Sequence, residues 1–186
     1  MTVTRTARAL IALAMTAACA QPDEGALQPL PTPGVTLGKR SIAGDTAEIV
    51  RLGIQARVWG DWGWDAGETV DVEYRNTGGE AVSIHVDRVS ITFDGNQGAA
   101  EQISDVSLVD LNDADHRNDV GRSLMEDAKA PDRPGILVIP AREARRIQVS
   151  FRPFSEPHRP RLDDVVTLKV PLSETIVSVR LKCAGP

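Results

Sequence analysis

The sequence is poor in the residues that metal and redox sites require. It has two cysteines and three histidines in 186 residues, and neither a CxxC motif nor a cluster of His and Cys occurs. Such clusters are the usual ligands of zinc and iron and the usual sites of thiol–disulfide chemistry. We therefore expect no cofactor. The G-x-S-x-G motif of many hydrolases is also missing, and we expect no enzyme activity.

An excess of basic charge is missing as well. The chain has 26 acidic residues against 21 Lys and Arg, which gives a formal net charge of -5 at pH 7. The short basic runs at residues 142–146 and 158–161 are interrupted by an acid or a proline. Because a nucleic-acid-binding surface needs a basic patch, we expect no nucleic-acid partner.

The apolar run near the N-terminus, residues 9–18 (ALIALAMTAA), is too short for a helix that spans a bilayer. Arg5 and Arg8 precede it and small residues end it, which is the order found in a secretory signal peptide. Residues 15–19 (MTAAC) resemble the lipobox of bacterial lipoproteins, with Thr16 in place of the usual leucine. The resemblance implies that residues 1–18 are removed and that Cys19 is lipid-modified.

A second processing route stays open in the same residues. Ala18, Cys19 and Ala20 also satisfy the small-x-small rule of signal peptidase, which would remove Cys19 and release a secreted or periplasmic soluble protein. Residues 19–44 are rich in Pro and Gly and predict a flexible tether. A tether favours a lipid-anchored protein of the cell envelope, at the outer membrane or the periplasmic face in a bacterium with two membranes.

Apolar and polar residues alternate through much of the remaining chain, residues 45–186, and this period of two predicts strands. Turns rich in Gly, Pro, Asn and Asp separate the strands. Seven or eight of them predict a single all-β domain, an antiparallel β-sandwich. The predicted inward-facing sets are Val70/Val72/Tyr74, Val82/Ile84/Val86, Val89/Ile91/Phe93, Ile147/Val149/Phe151, Val166/Leu168/Val170 and Val177/Val179/Leu181/Cys183.

Two details of these sets can be checked against a structure. The apolar parity changes between Val86 and Val89, which predicts a bulge or bend near Asp87 and Arg88. The last set places Cys183 on the inner face of its strand, so we expect a buried and inert thiol there.

Three segments give this domain a family resemblance: residues 70–84 (VDVEYRNTGGEAVSI), 137–154 (LVIPAREARRIQVSFRPF) and 164–186 (DVVTLKVPLSETIVSVRLKCAGP). They resemble the Ig-like domains of the ASH (Hydin-like) type and related bacterial Ig-like modules. The shared features are an Asn-Thr-Gly turn at residues 76–78, a turn led by Pro140, a Phe-x-Pro strand end at residues 151–153 and a glycine near the end, Gly185. The resemblance implies an Ig-like sandwich that serves as a scaffolding or interaction module without catalysis.

All three tryptophans, Trp59, Trp62 and Trp64, lie within six residues, separated by Gly60 and Gly63. Exposed rings of this kind anchor protein partners or stack on sugars, whereas buried rings would cover one end of the core. The sequence therefore predicts a non-catalytic interaction or assembly module with an envelope protein partner. The alternative is a carbohydrate-binding module that takes a glycan on the same rings.

Residues 110–119 hold the densest run of oxygen ligands in the chain. Calcium binds six to eight oxygens, so this composition suits a calcium site, but the spacing of an EF-hand is missing. We favour a hydrated acidic loop. The candidate calcium ligands are Asp110, Asn112, Asp113, Asp115 and Asp119.

Overall fold

The computed structural model describes residues 24–40, 44–63, 67–106, 135–155 and 158–185. Strands dominate these ranges, and a single 3-10 turn lies at Val86–Arg88. The all-β class predicted from the alternation is therefore confirmed. The strands are β1 (Glu24–Pro29), β2 (Thr36–Arg40), β3 (Gly44–Arg51), β4 (Ile54–Gly63), β5 (Gly67–Asn76), β6 (Val82–Ile84), β7 (Ser90–Phe93), β8 (Asn96–Asp105), β9 (Leu137–Ile139), β10 (Ala144–Phe151), β11 (Val165–Leu172) and β12 (Thr175–Cys183).

The predicted inward faces are largely buried, because alternate side chains of a strand point to the same side of its sheet. Val70, Val72 and Tyr74 on β5 are fully buried, and Cys183 at the end of β12 is buried as predicted. The parity change after Val86 coincides with the 3-10 turn, so the predicted bend is also confirmed.

The prediction of an Ig-like antiparallel sandwich is wrong, because the strand pairing closes on itself. The pairing runs β1-β12-β11-β7-β8-β10-β5-β4, and β4 pairs again with β1, which makes an eight-stranded barrel. Buried apolar side chains from all eight ring strands form one cluster. Barrels of eight strands have an interior just wide enough for side chains to fill.

Two strands close the ring because each pairs with two partners in succession. In β1, residues 24–26 pair with β4 and residues 27–29 pair with β12. In β8, residues 96–99 pair with β7, whereas the pairing with β10 begins at Ala100. A sandwich would leave these two edges open. Alternation of side chains is the same in both architectures, so the sequence pattern could not distinguish them.

The predicted tether of residues 19–44 does not hold for the part that the structure describes. Strand β1 is a member of the ring, and β2 pairs with β3 beside it. The glycine that suggested flexibility has a packing role instead: a Cβ at Gly25 would overlap the carbonyl oxygen of Ala184. The fold therefore begins at or before Glu24 rather than at residue 45.

Gly60 gives the fold its first testable prediction. It lies on β4 between the residues that pair with β3 and those that pair with β1. A Cβ there would overlap the carbonyl oxygen of Thr69 and lie 3.0 Å from the Cα of Val70. We expect Gly60→Ala to lower the free energy of unfolding, measured with urea, by about 1–3 kcal/mol.

Gly79→Ala is the matched control, because no heavy atom lies within 4 Å of a Cβ at Gly79. We expect this control to change the free energy of unfolding by less than about 0.5 kcal/mol. Equal stability of the two variants would contradict the close approach at Gly60.

Candidate functional site

A groove opens where β10 ends and β8 continues. Strand β10 stops at Phe151, which is paired with Ala100, and Pro153 follows two residues later. Proline has no main-chain N–H and cannot extend a strand pairing. Residues 96–99 of β8 therefore pair with β7 on one side, and no strand of the described part of the chain lies beside them on the other.

The groove has a volume of about 560 Å3. Residues 96–101 of β8 form one wall, and residues 152–155 with His158 form the other. Phe154 lies beneath them, buried, with its ring 6.0 Å from that of Phe93 in an edge-to-face arrangement. Gly98 leaves room for this packing, since a Cβ there would come within 3.4 Å of the Phe154 ring.

Two polar side-chain contacts connect β8 and its turn to the second wall. Arg152 Nη2 lies 3.1 Å from Glu101 Oε1, and His158 Nδ1 lies 3.2 Å from Asp94 Oδ2 in the β7–β8 turn. All four side chains are well exposed. Exposed contacts of this kind contribute about 0–1 kcal/mol each, so they stabilise the arrangement of the walls only weakly.

The barrel interior holds two buried titratable side chains, Glu68 and Cys183, at the same end of the ring as the groove. Glu68 is 2% exposed, and its Oε2 has no hydrogen-bond partner among the described residues. Burial raises the pKa of Glu68 to about 7. Burial also raises the pKa of Cys183 to about 12, with further contributions from the charges of Glu68 and Asp164.

The outer face of β4, β5 and β10 carries a buried ion pair. Arg146 donates from Nε and Nη2 to Asp71 Oδ1 at 2.9 and 2.8 Å, and its guanidinium lies 5.2 Å from the centre of the Trp59 ring. Burial raises the pKa of nearby Asp61, and the charge of Asp71 adds to this effect.

Trp59 and Trp62, two of the three predicted binding residues, lie on opposite faces of β4. Trp59 lies on the outer face of β4 beside Arg146, whereas Trp62 points inward and donates from Nε1 to the carbonyl of Ala184 at 2.9 Å. They are 7% and 3% exposed. These two rings therefore form no joint stacking platform for a sugar. Trp64 lies outside the described residues.

Other predicted sites lie outside the described residues too: Cys19, and the candidate calcium ligands Asp110, Asn112, Asp113, Asp115 and Asp119. Within the described ranges, no group of three or more His, Cys, Asp or Glu side chains is placed to hold a metal ion. No helix there has the length and apolar character needed to cross a membrane.

The groove itself was missed by the sequence analysis, although two of its signals were present. Asp94-Gly95 is a strong signal for a two-residue hairpin turn, and both residues have the positive φ that such a turn requires, 47° and 76°. Pro153 marks the end of a strand. These two signals predict a hairpin and, separately, the end of a strand. They do not predict that the hairpin and the strand end lie side by side in the fold.

Comparison with protein-family models, curated proteins and solved structures finds no match to this chain. The resemblance to the ASH type thus stays a prediction from turn residues alone.

The raised pKa of Glu68 predicts how the free energy of unfolding depends on pH. Its pKa is about 7 in the folded protein, against 4.5 for a free side chain, so unfolding releases a proton between these two pH values. Stability therefore falls as the pH rises from about 4.5 to about 7 and then levels off. Glu68→Gln lacks the titrating group, so its free energy of unfolding should not fall in this way. Relative to wild type, the variant should therefore gain about 3 kcal/mol of stability across this pH window.

The measurement is urea unfolding at several pH values for both proteins. The pH dependence of the difference is decisive, because the amide of the variant adds a constant offset of its own. Glu174→Gln, at an exposed turn, is the control and should show no such trend. A difference between Glu68→Gln and wild type that stays constant with pH would contradict the raised pKa.

The burial and the raised pKa of Cys183 predict that its thiol reacts slowly with thiol reagents. Its side chain is fully buried and its pKa is raised to about 12, and only the thiolate is nucleophilic. In a Cys19→Ser chain, where Cys183 is the only thiol, we expect maleimide labelling at pH 8 to be at least about a thousandfold slower in the native protein than in urea. Equal rates would contradict the inward position.

Proposed function

We propose that the protein is a non-catalytic interaction module of the bacterial cell envelope, held at a membrane by lipid on Cys19. The groove between β8 and residues 152–155 is its contact surface. The observation that carries this proposal is the strand edge of residues 96–99, which no strand among the described residues covers on the side of the groove. Main-chain groups at such an edge are ready to pair with another chain.

The lining of the groove supports docking of a macromolecule. It includes main-chain groups, the small residues Gly98 and Ala99, and the Arg152–Glu101 ion pair between the walls. Small-molecule sites, in contrast, are enclosed and bury most of the ligand surface. The groove is open at the surface of a barrel whose interior is filled by its own side chains.

The position of β1 supports an interaction close to the membrane. Five peptide units separate Cys19 from Glu24, and these span at most about 18 Å. Glu24 pairs with Gly63, which in turn pairs with Gly67. A Cβ at Gly67 would lie 3.0 Å from the nitrogen of Pro153. Glu24 and the groove therefore lie at the same end of the barrel, and a lipid on Cys19 would hold the groove near the membrane surface.

The experiment places a photocrosslinking amino acid at Gln97, in the groove, in cells that express the tagged protein. The matched control places it at Glu174, in the exposed turn at the opposite end of β11 and β12. We expect a discrete protein adduct in the membrane fraction from position 97 and none from position 174. Cys19→Ala should move the protein to the soluble fraction and strongly reduce the adduct.

Two parts of the proposal can be contradicted separately. Identical adducts from both positions, or no adduct from either, would show that the groove is not the contact surface. Unchanged membrane fractionation of Cys19→Ala would remove the lipid anchor, whatever the crosslinking shows.

A further inference from the structure

We propose that the groove binds an extended polypeptide segment, which adds to the barrel as a strand alongside β8 and pairs with the main-chain groups of Gln97 and Ala99. This inference rests on the proposed function and names its partner chemistry: an uncharged stretch of another chain, recognised through its backbone. Strand addition of this kind is a general mode of peptide recognition.

The direction of the main-chain groups follows first from the β7–β8 turn. Phe93 and Asn96 flank a two-residue turn, and the flanking pair of such a turn exchanges both of its hydrogen bonds. Asn96 and Gly98 therefore direct their N–H and C=O groups toward β7. Gln97 and Ala99 direct theirs to the opposite side, into the groove.

The far end of β8 gives the same result independently. Val106, just beyond this strand, donates its N–H to the carbonyl of Arg146 at 2.9 Å, so even-numbered residues face β10 there. A bulge at Glu101 shifts the register, since Ser150 pairs with Gln102 but the next residue, Phe151, pairs with Ala100. The extra residue changes which main-chain groups face β10. Before the bulge, the N–H and C=O groups of the odd-numbered residues point to the β10 side of the strand.

No described residue meets the groups of Gln97 and Ala99 on that side. On the second wall, His158 donates its N–H to the carbonyl of Ser155 at 2.9 Å, and the carbonyl of Phe154 accepts from Arg159 Nε at 3.0 Å. Both residues are exposed. Their amides and carbonyls are two donors and two acceptors in the spacing of a strand edge, which matches a second extended chain.

The size of the groove fits a single chain. The uncovered edge, residues 96–99, is about 13 Å long at a rise of about 3.3 Å per residue, so it matches an extended segment of about four residues. The second wall, residues 152–155 with His158, stands where another barrel would have to enter, so we infer a peptide segment and not a second copy.

The test uses a phage-displayed library of linear eight-residue peptides, selected on the purified protein. Ala99→Pro removes the N–H that faces the groove and leaves the pairing with β7 intact, and proline is tolerated at such a strand edge. Ala99→Ser is the matched control because it keeps the N–H. We expect selected peptides to bind Ala99→Pro about tenfold more weakly than wild type and to bind Ala99→Ser like wild type.

N-methylation of the peptides tests the same pairing without changing the protein. Methyl groups on alternate amides, those that face β8, should abolish binding, and methyl groups on the intervening amides should not. This series decides the matter if Ala99→Pro unfolds. Absence of any selected peptide, equal binding to Ala99→Pro, or equal effects of both methylation patterns would overturn the inference.

The outcomes separate this inference from the proposed function. An adduct at position 97 in cells together with a failed peptide selection would retain the interaction module and overturn strand addition. A different outcome is that no peptide is selected and that wild type self-associates whereas Ala99→Pro does not. This outcome would identify a second copy as the occupant and would also overturn the inference.

Discussion

The fold depends on two strands that each serve two partners. Strand β1 leaves β4 after Ala26 and joins β12 at Leu27, and β8 leaves β7 after Ala99 and joins β10 at Ala100. Without these exchanges the remaining strands would form open sheets with free edges. Closure hides those edges and brings the inward faces of eight strands into one cluster, which is how barrels avoid pairing with other chains.

Closure also imposes a cost on the polar groups that it encloses. The hydroxyl of Tyr74 and Oε2 of Glu68 have no hydrogen-bond partner within the described ranges, and a buried polar group without a partner is destabilising. Desolvation raises the pKa of Tyr74, Glu68 and Cys183 together. The interior is thus neutral in its preferred state, and Glu68 is the group in it that titrates nearest to neutral pH.

The sequence predicts the faces of the strands well where large apolar residues alternate, as in β5, β10 and β12. It fails at β1 (EGALQP) and in the first half of β8 (NQGAAE), because neither alternates and both resemble loops in composition. These are the strands that decide between a sandwich and a barrel. The positions of the tryptophans were predictable: Trp59 and Trp62 are three residues apart, and on a strand that spacing places side chains on opposite faces.

The two strand exchanges differ in a way that bears on function. Both exchanges are immediate, at Ala26 and Leu27 on β1 and at Ala99 and Ala100 on β8. At β1 the pairing with the end of β12 continues past the exchange, since Ala184 donates its N–H to the carbonyl of Ala26 at 2.9 Å. At β8, no main-chain hydrogen bond within the described residues reaches Gln97 or Ala99 from residues 152–155. An uncovered edge in a natural protein is usually kept short or guarded by charges and proline. This one is short, lies beside Pro153, and is flanked by the Arg152–Glu101 ion pair and the His158–Asp94 contact. Those devices limit uncontrolled pairing along the barrel, yet leave room for one chain of matching length.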